Sequence, residues 1–221
     1  MESFSAYPKC DICQTPLNFV LQLYKDDFPE FYFPDKSNIF QLFRCPNNNC
    51  KIAYKNSSYD HKMFHYYAKV DRKINKIFAK STTVSSQIES EVPDCFLKPV
   101  RLNDFPDYYD YEEEDLAKLS EGFRMDLADE FLDEFLTQPF TKLGGYPAFI
   151  QDPFYPTCKC GRIKHFLFQL SSEDPENEGR SYENNGNWSA HKIMIGDAGN
   201  IYYYICTHCG EKSIESYWDC S

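Results

Sequence analysis

Two stretches decide the fold: Cys158-Lys159-Cys160-Gly161 followed by Phe166-Leu167-Phe168-Gln169-Leu170, and Cys10-Asp11-Ile12-Cys13 followed by Phe19-Val20-Leu21-Gln22-Leu23. In both, a close cysteine pair precedes a short apolar run of β type, and a glutamine stands nine residues past the second cysteine. Working outward, each half closes with another run and another pair. Ile39-Phe40-Gln41-Leu42-Phe43 leads to Cys45-x4-Cys50, and Ile201-Tyr202-Tyr203-Tyr204-Ile205 leads to Cys206-x2-Cys209. Each half therefore reads as cysteine pair, strand, insertion, strand, cysteine pair. Antiparallel pairing of the two strands brings both pairs to one end of a hairpin, the arrangement of a zinc ribbon.

Eight of the ten cysteines are used in this way. Two thiolates separated by one to four residues reach a single ion from one turn, and a tetrahedral ion needs two such pairs. The spacing predicts two zinc ions, one on Cys10, Cys13, Cys45 and Cys50, the other on Cys158, Cys160, Cys206 and Cys209. A redox pair, a disulfide or merely buried thiols are the competing readings. Gly161, Gly210 and Pro46 suit the tight turns. His165 and His208 lie close enough in sequence to substitute as ligands. Cys95 and Cys220 are unpaired and read as core or tail thiols.

The 221 residues suit one domain or two small lobes. Hydrophobic residues at 42% and charged residues at 26% describe a folded globular chain. Aromatics at 17% favour a β-rich core of large side chains. With 23 basic and 34 acidic residues the net charge is −11. Phosphate repels such a chain, so general nucleic-acid binding is not expected and a basic protein partner is. No apolar run is long enough to span a membrane. The start, Met1-Glu2-Ser3-Phe4-Ser5, has no apolar leader core, which predicts a cytoplasmic chain with reduced cysteines.

The middle differs in character. Residues 51–80 carry eight Lys/Arg and two Asp/Glu, with His61-x3-His65 read as a solvated polar face. Residues 81–92 read as a linker. Residues 104–134 hold thirteen acids and two bases. Leu116, Leu119, Phe123, Leu127, Phe131, Leu132, Phe135 and Leu136 recur at steps of three and four. They predict a long amphipathic helix ended by Pro139. The expected class is thus α+β: two related antiparallel β halves with zinc-ribbon-like knuckles and a long amphipathic helix between them. The expected organisation is a first half with basic extension over 1–80, a linker, acidic segment and helix over 81–140, and a second half over 141–221. Tyr108, Tyr109, Tyr111, Glu112, Glu113, Glu114 and Asp115 mix aromatic anchors with acids, as a surface for a basic partner requires. Lys142–Tyr146 is a tight turn without a phosphate-binding signature, and Gly196–Asn200 is a hairpin-type loop in which Asp197 reads as a structural cap, with a catalytic acid as the competing reading.

Together Lys142–Gln151, Phe166–Leu170 and Gly196–Gly199 resemble the bacterial YwqG-like family, a domain family of unknown function. The stretches Cys10…Cys50 and Cys158-x-Cys160-Gly161…Cys206 resemble the two ends of the programmed cell death protein 2 family. That resemblance implies an α+β fold with two related β halves, zinc on the eight cysteines and no established enzymatic activity. Programmed cell death protein 2 relatives act as chaperones of a basic ribosomal protein, and YwqG-like proteins are associated with bacterial toxin systems. Unlike the former, this chain has no cysteine/histidine-dense finger between its halves and no Gly-Gly-x-Pro before Cys10. The sequence shows no GxSxG, P-loop or HExxH, and an all-thiolate zinc site leaves no position for a reacting water. The expectation is a non-catalytic zinc-stabilised module that binds a basic protein, a toxin or a ribosomal-type client, as an immunity protein or dedicated chaperone. A nucleic-acid-associated zinc ribbon and an enzyme of unrecognised type are the alternatives.

Overall fold

The computed structural model of the chain describes residues 8–47, 50, 63–69, 99–107, 110–112, 114, 115, 117, 118, 137–173, 191 and 193–221. The chain divides into two compact units, one within Met1–Asp94 with His191–Ile193, the other within Cys95–Ala190 with Met194–Ser221.

The first unit holds an antiparallel sheet in the order β1 (Asn18–Tyr24), β2 (Ile39–Arg44) and β3 (Met63–Ala68). β2 is central, and its five residues Ile39–Phe43 are all buried. That explains a continuous apolar run rather than an alternating one. Phe40 packs against Phe31 and Tyr67, with ring centroids 5.1 Å away in both cases. On the other face Phe43 meets Phe19 and Tyr66. Gln41, the polar interruption in this buried strand, donates from Nε2 to Gln22 Oε1 at 2.7 Å on the neighbouring strand.

The second unit holds a four-stranded antiparallel sheet in the order β4 (Lys142–Leu143), β5 (His165–Ser171), β6 (Asn200–Ile205) and β7 (Glu215–Asp219). All six residues of β6 are buried. Tyr203 stacks on Phe168 at 4.1 Å on one face, while Tyr202 and Tyr204 meet Phe149 and Phe154 on the other. Gln169 is fully buried and fully satisfied: Oε1 accepts the Ala148 N–H, and Nε2 donates to the carbonyls of Pro139 and Phe140. The Gly196–Asn200 loop closes on the end of β7. A side chain at Gly199 would lie 2.2 Å from the Asp219 carbonyl, so only glycine fits there.

The repeat read from the sequence holds residue by residue. The β1–β2 ladder shifts register between Phe19 and Leu21, and the β5–β6 ladder between Phe166 and Phe168. Both shifts fall two residues before the repeated glutamines. Gln22 pairs with Gln41 across the first ladder, Gln169 with Tyr202 across the second. A third strand then adds to the outer edge of each central strand, β3 opposite β2 and β7 opposite β6. The sequence reading placed no strand at either position.

The α+β class is corrected. Among the described residues the regular structure is mostly antiparallel β, and no helix reaches seven residues. A 3-10 turn at Gly210–Ser213, a 3-10 residue at 110 and helical residues at 114, 115, 117 and 118 are the helical features there. The class rested on one segment with helical periodicity. Its residues Leu116, Leu119, Phe123, Leu127, Phe131, Leu132, Phe135 and Leu136 lie outside the described residues, as does the linker 81–92. Aromatic and β-branched runs that bury both faces of a sheet set the architecture of what is described. His65 stands on β3, half-buried, with its ring stacked on Phe40 at 6.4 Å. His61 lies outside the described residues.

Gln169→Leu should lower the unfolding free energy by about 2–4 kcal/mol, because it strands an N–H and two carbonyls in the core. Gln22→Leu, at a half-buried position, should cost less than half of that. Urea denaturation of both variants measures the difference, and equal losses would contradict the network described here.

Candidate metal centres

Each half of the sequence predicted a sulfur tetrad at one end of a hairpin, and the structure brings both together. The Sγ atoms of Cys10, Cys13, Cys45 and Cys50 all lie within 4.8 Å of one another, and so do those of Cys158, Cys160, Cys206 and Cys209. Closest approaches are 3.7 Å for Cys10–Cys50, 3.6 Å for Cys13–Cys45 and 3.6 Å for Cys160–Cys206. Disulfide sulfurs sit about 2.05 Å apart, so these are thiols. Four sulfurs at about 2.3 Å from a central zinc would be separated by about 3.8 Å, which is close to the spacings observed. His165 and His208 are exposed and belong to neither tetrad.

Local backbone chemistry builds the first knuckle of each tetrad to one plan. The Cys10 N–H donates to the Thr15 carbonyl and Gln14 N–H to the Cys10 carbonyl, both at 2.9 Å. In the second unit the Cys158 N–H donates to the Arg162 carbonyl and Gly161 N–H to the Cys158 carbonyl, at 2.7 and 2.8 Å. The residue after the second cysteine has a positive φ in both, 59° at Gln14 and 84° at Gly161. Isolated bridges, Lys9 to Pro16 and Thr157 to Ile163, close the two turns. The knuckle with one residue fewer between its cysteines is thus the same turn shortened by one. At the far pair, Gly210 again has positive φ, 66°, and its N–H donates to the Cys206 carbonyl. Ser213 Oγ accepts the Cys206 N–H at 2.9 Å, tying the 3-10 turn to the knuckle.

The tetrads differ in exposure. Cys10, Cys45 and Cys50 are buried with Leu17 and Phe43, and Phe64 and Tyr66 pack against them. In the second tetrad Cys158 and Cys206 are buried while Cys160 and Cys209 are exposed. Charge is divided unequally within each. Burial opposes ionisation of Cys13, yet bonding to Thr15 and to the neighbouring thiols holds it at about 6. Burial pushes Cys45 well above the usual thiol range. Cys160 is held at about 6, first by the Arg162 backbone and then by the adjacent sulfurs, against the pull of burial. Cys209 is pushed up to about 12 by Cys160 and Cys158. A divalent cation among four thiolates would offset their mutual repulsion.

A family profile described as "Domain of unknown function (DUF1963)" matches residues 1–208. The chain belongs to this family. It is also 38% identical over 76 residues to uncharacterized protein YpfL of Salmonella typhimurium strain LT2. That stretch is 34% of this chain and 14% of YpfL, so the chain spans a small part of that relative's length. The expected membership in a domain family of unknown function therefore stands, while the narrower YwqG-like and programmed cell death protein 2 likenesses are not carried by these matches.

The predicted partner surface is placed in part. Tyr111 is half-buried beside Asp110 and Tyr146, and burial together with these two raises its hydroxyl above the usual tyrosine range. Glu112, Glu114 and Asp115 are exposed, with Asp115 3.3 Å from Lys118. Tyr108, Tyr109 and Glu113 lie outside the described residues, as does Cys95. The sequence reading included Asp104 and Asp110 in the acidic partner segment but did not assign Gln138, Lys142, Tyr146 or Tyr155 to it. Asp104 accepts from Lys142, Gln138 N–H and Tyr146 N–H. Tyr155 bonds to Asp110. The available signal was the proline-punctuated aromatic stretch Tyr146-Pro147…Pro153-Phe154-Tyr155-Pro156. Among the described residues no helix is long and apolar enough to cross a membrane.

Cys45→Ser and Cys206→Ser should each lower the melting temperature by on the order of 10 °C and remove one equivalent of bound metal. Cys220→Ser, outside both tetrads, should shift it by no more than about 2 °C. Differential scanning calorimetry with elemental analysis reads both effects; metal loss from Cys220→Ser would contradict the tetrad assignment.

Proposed function

We propose that this chain is a non-catalytic protein-binding module whose two β units are each stapled by a structural four-cysteine zinc centre, and whose second unit meets a basic protein. Four-thiolate zinc sites are closed and contribute folding energy rather than reaction chemistry. The observation that carries the reading is the surface built around residues 110–115 and 146–155. Tyr146, Ile150, Phe154 and Tyr155 are each about two-fifths exposed, and Asp110, Glu112, Glu114, Asp115 and Asp152 are exposed in the same unit. Exposed aromatics among acids supply contact area with charge selection. The net charge of −11 favours encounter with a basic partner and disfavours nucleic acid. Toxin masking and chaperoning of a ribosomal-type client are the two roles that such binding would serve, in the cytoplasm.

Reversing Glu112, Glu114 and Asp115 to lysine should slow association with the native partner by on the order of tenfold at low salt and flatten its salt dependence. The partner is recovered by co-purification from the source cells and measured by surface plasmon resonance. A partner that is acidic, or capture unchanged in a charge-reversed variant that keeps its metal and melting temperature, would contradict the proposal.

A further inference from the structure

The two cysteine tetrads share a turn and differ in what can reach their sulfurs. In the first unit Cys10, Cys45 and Cys50 are buried and Cys13 is half-buried. Leu17 and Phe43 lie among them, Phe64 and Tyr66 pack against them, and Cys13 Sγ lies 3.2 Å from Thr15 Oγ1. In the second unit Cys158 and Cys206 are buried, but Cys160 and Cys209, the second cysteine of each knuckle, are exposed. Lys159, Gly161, Arg162 and His208, their chain neighbours, are exposed as well. Gly161 stands where the first knuckle has Gln14. A Cβ at Gly161 would meet no atom beyond its chain neighbours within 4 Å, so the space next to Cys160 is open.

Exposure singles out one pair of sulfurs. All four in the second tetrad lie within 4.8 Å of one another, close enough for two of them to bond after a small side-chain rotation. Cys160 approaches Cys206 to 3.6 Å, but Cys206 is buried and its knuckle is tied by the bond from its N–H to Ser213 Oγ. Cys160 with Cys209 is the combination in which both residues face solvent. A metal-bound thiolate is already deprotonated, so access decides which sulfur reacts with an oxidant arriving from water. The first tetrad, with three buried cysteines and the fourth half-buried, offers no such pair.

We infer that Cys160 and Cys209 are an oxidative modification site: hydrogen peroxide joins them in a disulfide and discharges zinc from the second centre, while the first centre keeps its own. This rests on the reading of both tetrads as zinc centres. One of the two thiolates attacks peroxide and breaks its O–O bond; the sulfur becomes a sulfenic acid and hydroxide leaves. The other thiolate attacks the sulfenic sulfur, forming the S–S bond and releasing a second hydroxide. Both hydroxides take protons from solvent and leave as water. The sulfurs lose two electrons in all, and the peroxide gains them. Zinc is then left with Cys158 and Cys206, two ligands in place of four, and departs. The disulfide joins the same two knuckles that the ion joined, so the hairpin stays tied and reduction with added zinc reverses the step.

The test exposes the full-length chain, purified with its zinc, to millimolar hydrogen peroxide, with an untreated sample alongside. A colorimetric chelator follows zinc release. Alkylation in denaturant, with and without reduction, followed by peptide mass mapping, assigns the state of each cysteine. One equivalent of zinc should leave at least about tenfold faster than the other. The map at that point should show Cys160 linked to Cys209, and Cys10, Cys13, Cys45 and Cys50 still recovered as thiols. A thiol reductant with added zinc should restore the lost equivalent. Both equivalents leaving together, zinc retained throughout, a disulfide that uses Cys158, Cys206 or a cysteine of the first tetrad, or oxygen added to these sulfurs without a disulfide would each overturn the inference and leave the zinc reading intact. A second tetrad that holds no zinc as purified, its cysteines alkylating freely in the untreated native chain, would remove the zinc reading there and this inference with it.

Discussion

Four thiols held within 4.8 Å repel one another as soon as they ionise, and that conflict stands at the end of both hairpins. Its trace is visible in the unequal division of charge, with Cys13 and Cys160 held down and Cys45 and Cys209 pushed up. A divalent cation there would turn the repulsion into a clamp between two chain segments more than thirty residues apart. Cys13 meets Cys45 across 32 positions and Cys160 meets Cys206 across 46. Closing loops of that length is an entropic cost that a small sheet must offset, and a metal–thiolate centre would offset it at the point where strand pairing begins.

The two units also share details that have no bearing on surface chemistry. The register shift next to Val20 returns next to Leu167. The positive φ of Gln14 returns at Gly161. Around this shared frame the polar cores diverge. Gln41 bonds Gln22 within the first sheet, whereas Gln169 reaches out to the backbone at Ala148, Pro139 and Phe140. The second unit thereby holds the 137–156 segment against its sheet, and that segment carries the exposed aromatics.

The cysteine tetrads and the four strands β1, β2, β5 and β6 were legible because spacing and apolar runs are local signals. The edge strands were not. β3 carries His65 in a stretch rich in lysine, and all six of its residues are only half-buried, so its composition follows solvent as much as the sheet. β7, Glu215–Asp219, mixes acids with Tyr217 and Trp218 for the same reason. The α+β expectation came from periodicity in a segment of which only residues 117 and 118 and its acidic start are described, and it did not survive as the class of the described fold. The buried Tyr204 hydroxyl, without a hydrogen-bond partner among the described residues, could not be read at all. Within Tyr202-Tyr203-Tyr204, nothing local distinguishes the tyrosine that finds Asp219 from the one that does not.

The central claim is that both tetrads hold metal through sulfur alone. X-ray absorption at the zinc edge, on protein purified without added metal and paired with elemental analysis, addresses it directly. The account predicts two zinc ions per chain, each with four sulfur neighbours at about 2.3 Å and no nitrogen or oxygen neighbour. A zinc content near zero, or a first shell containing a water or imidazole, would contradict it.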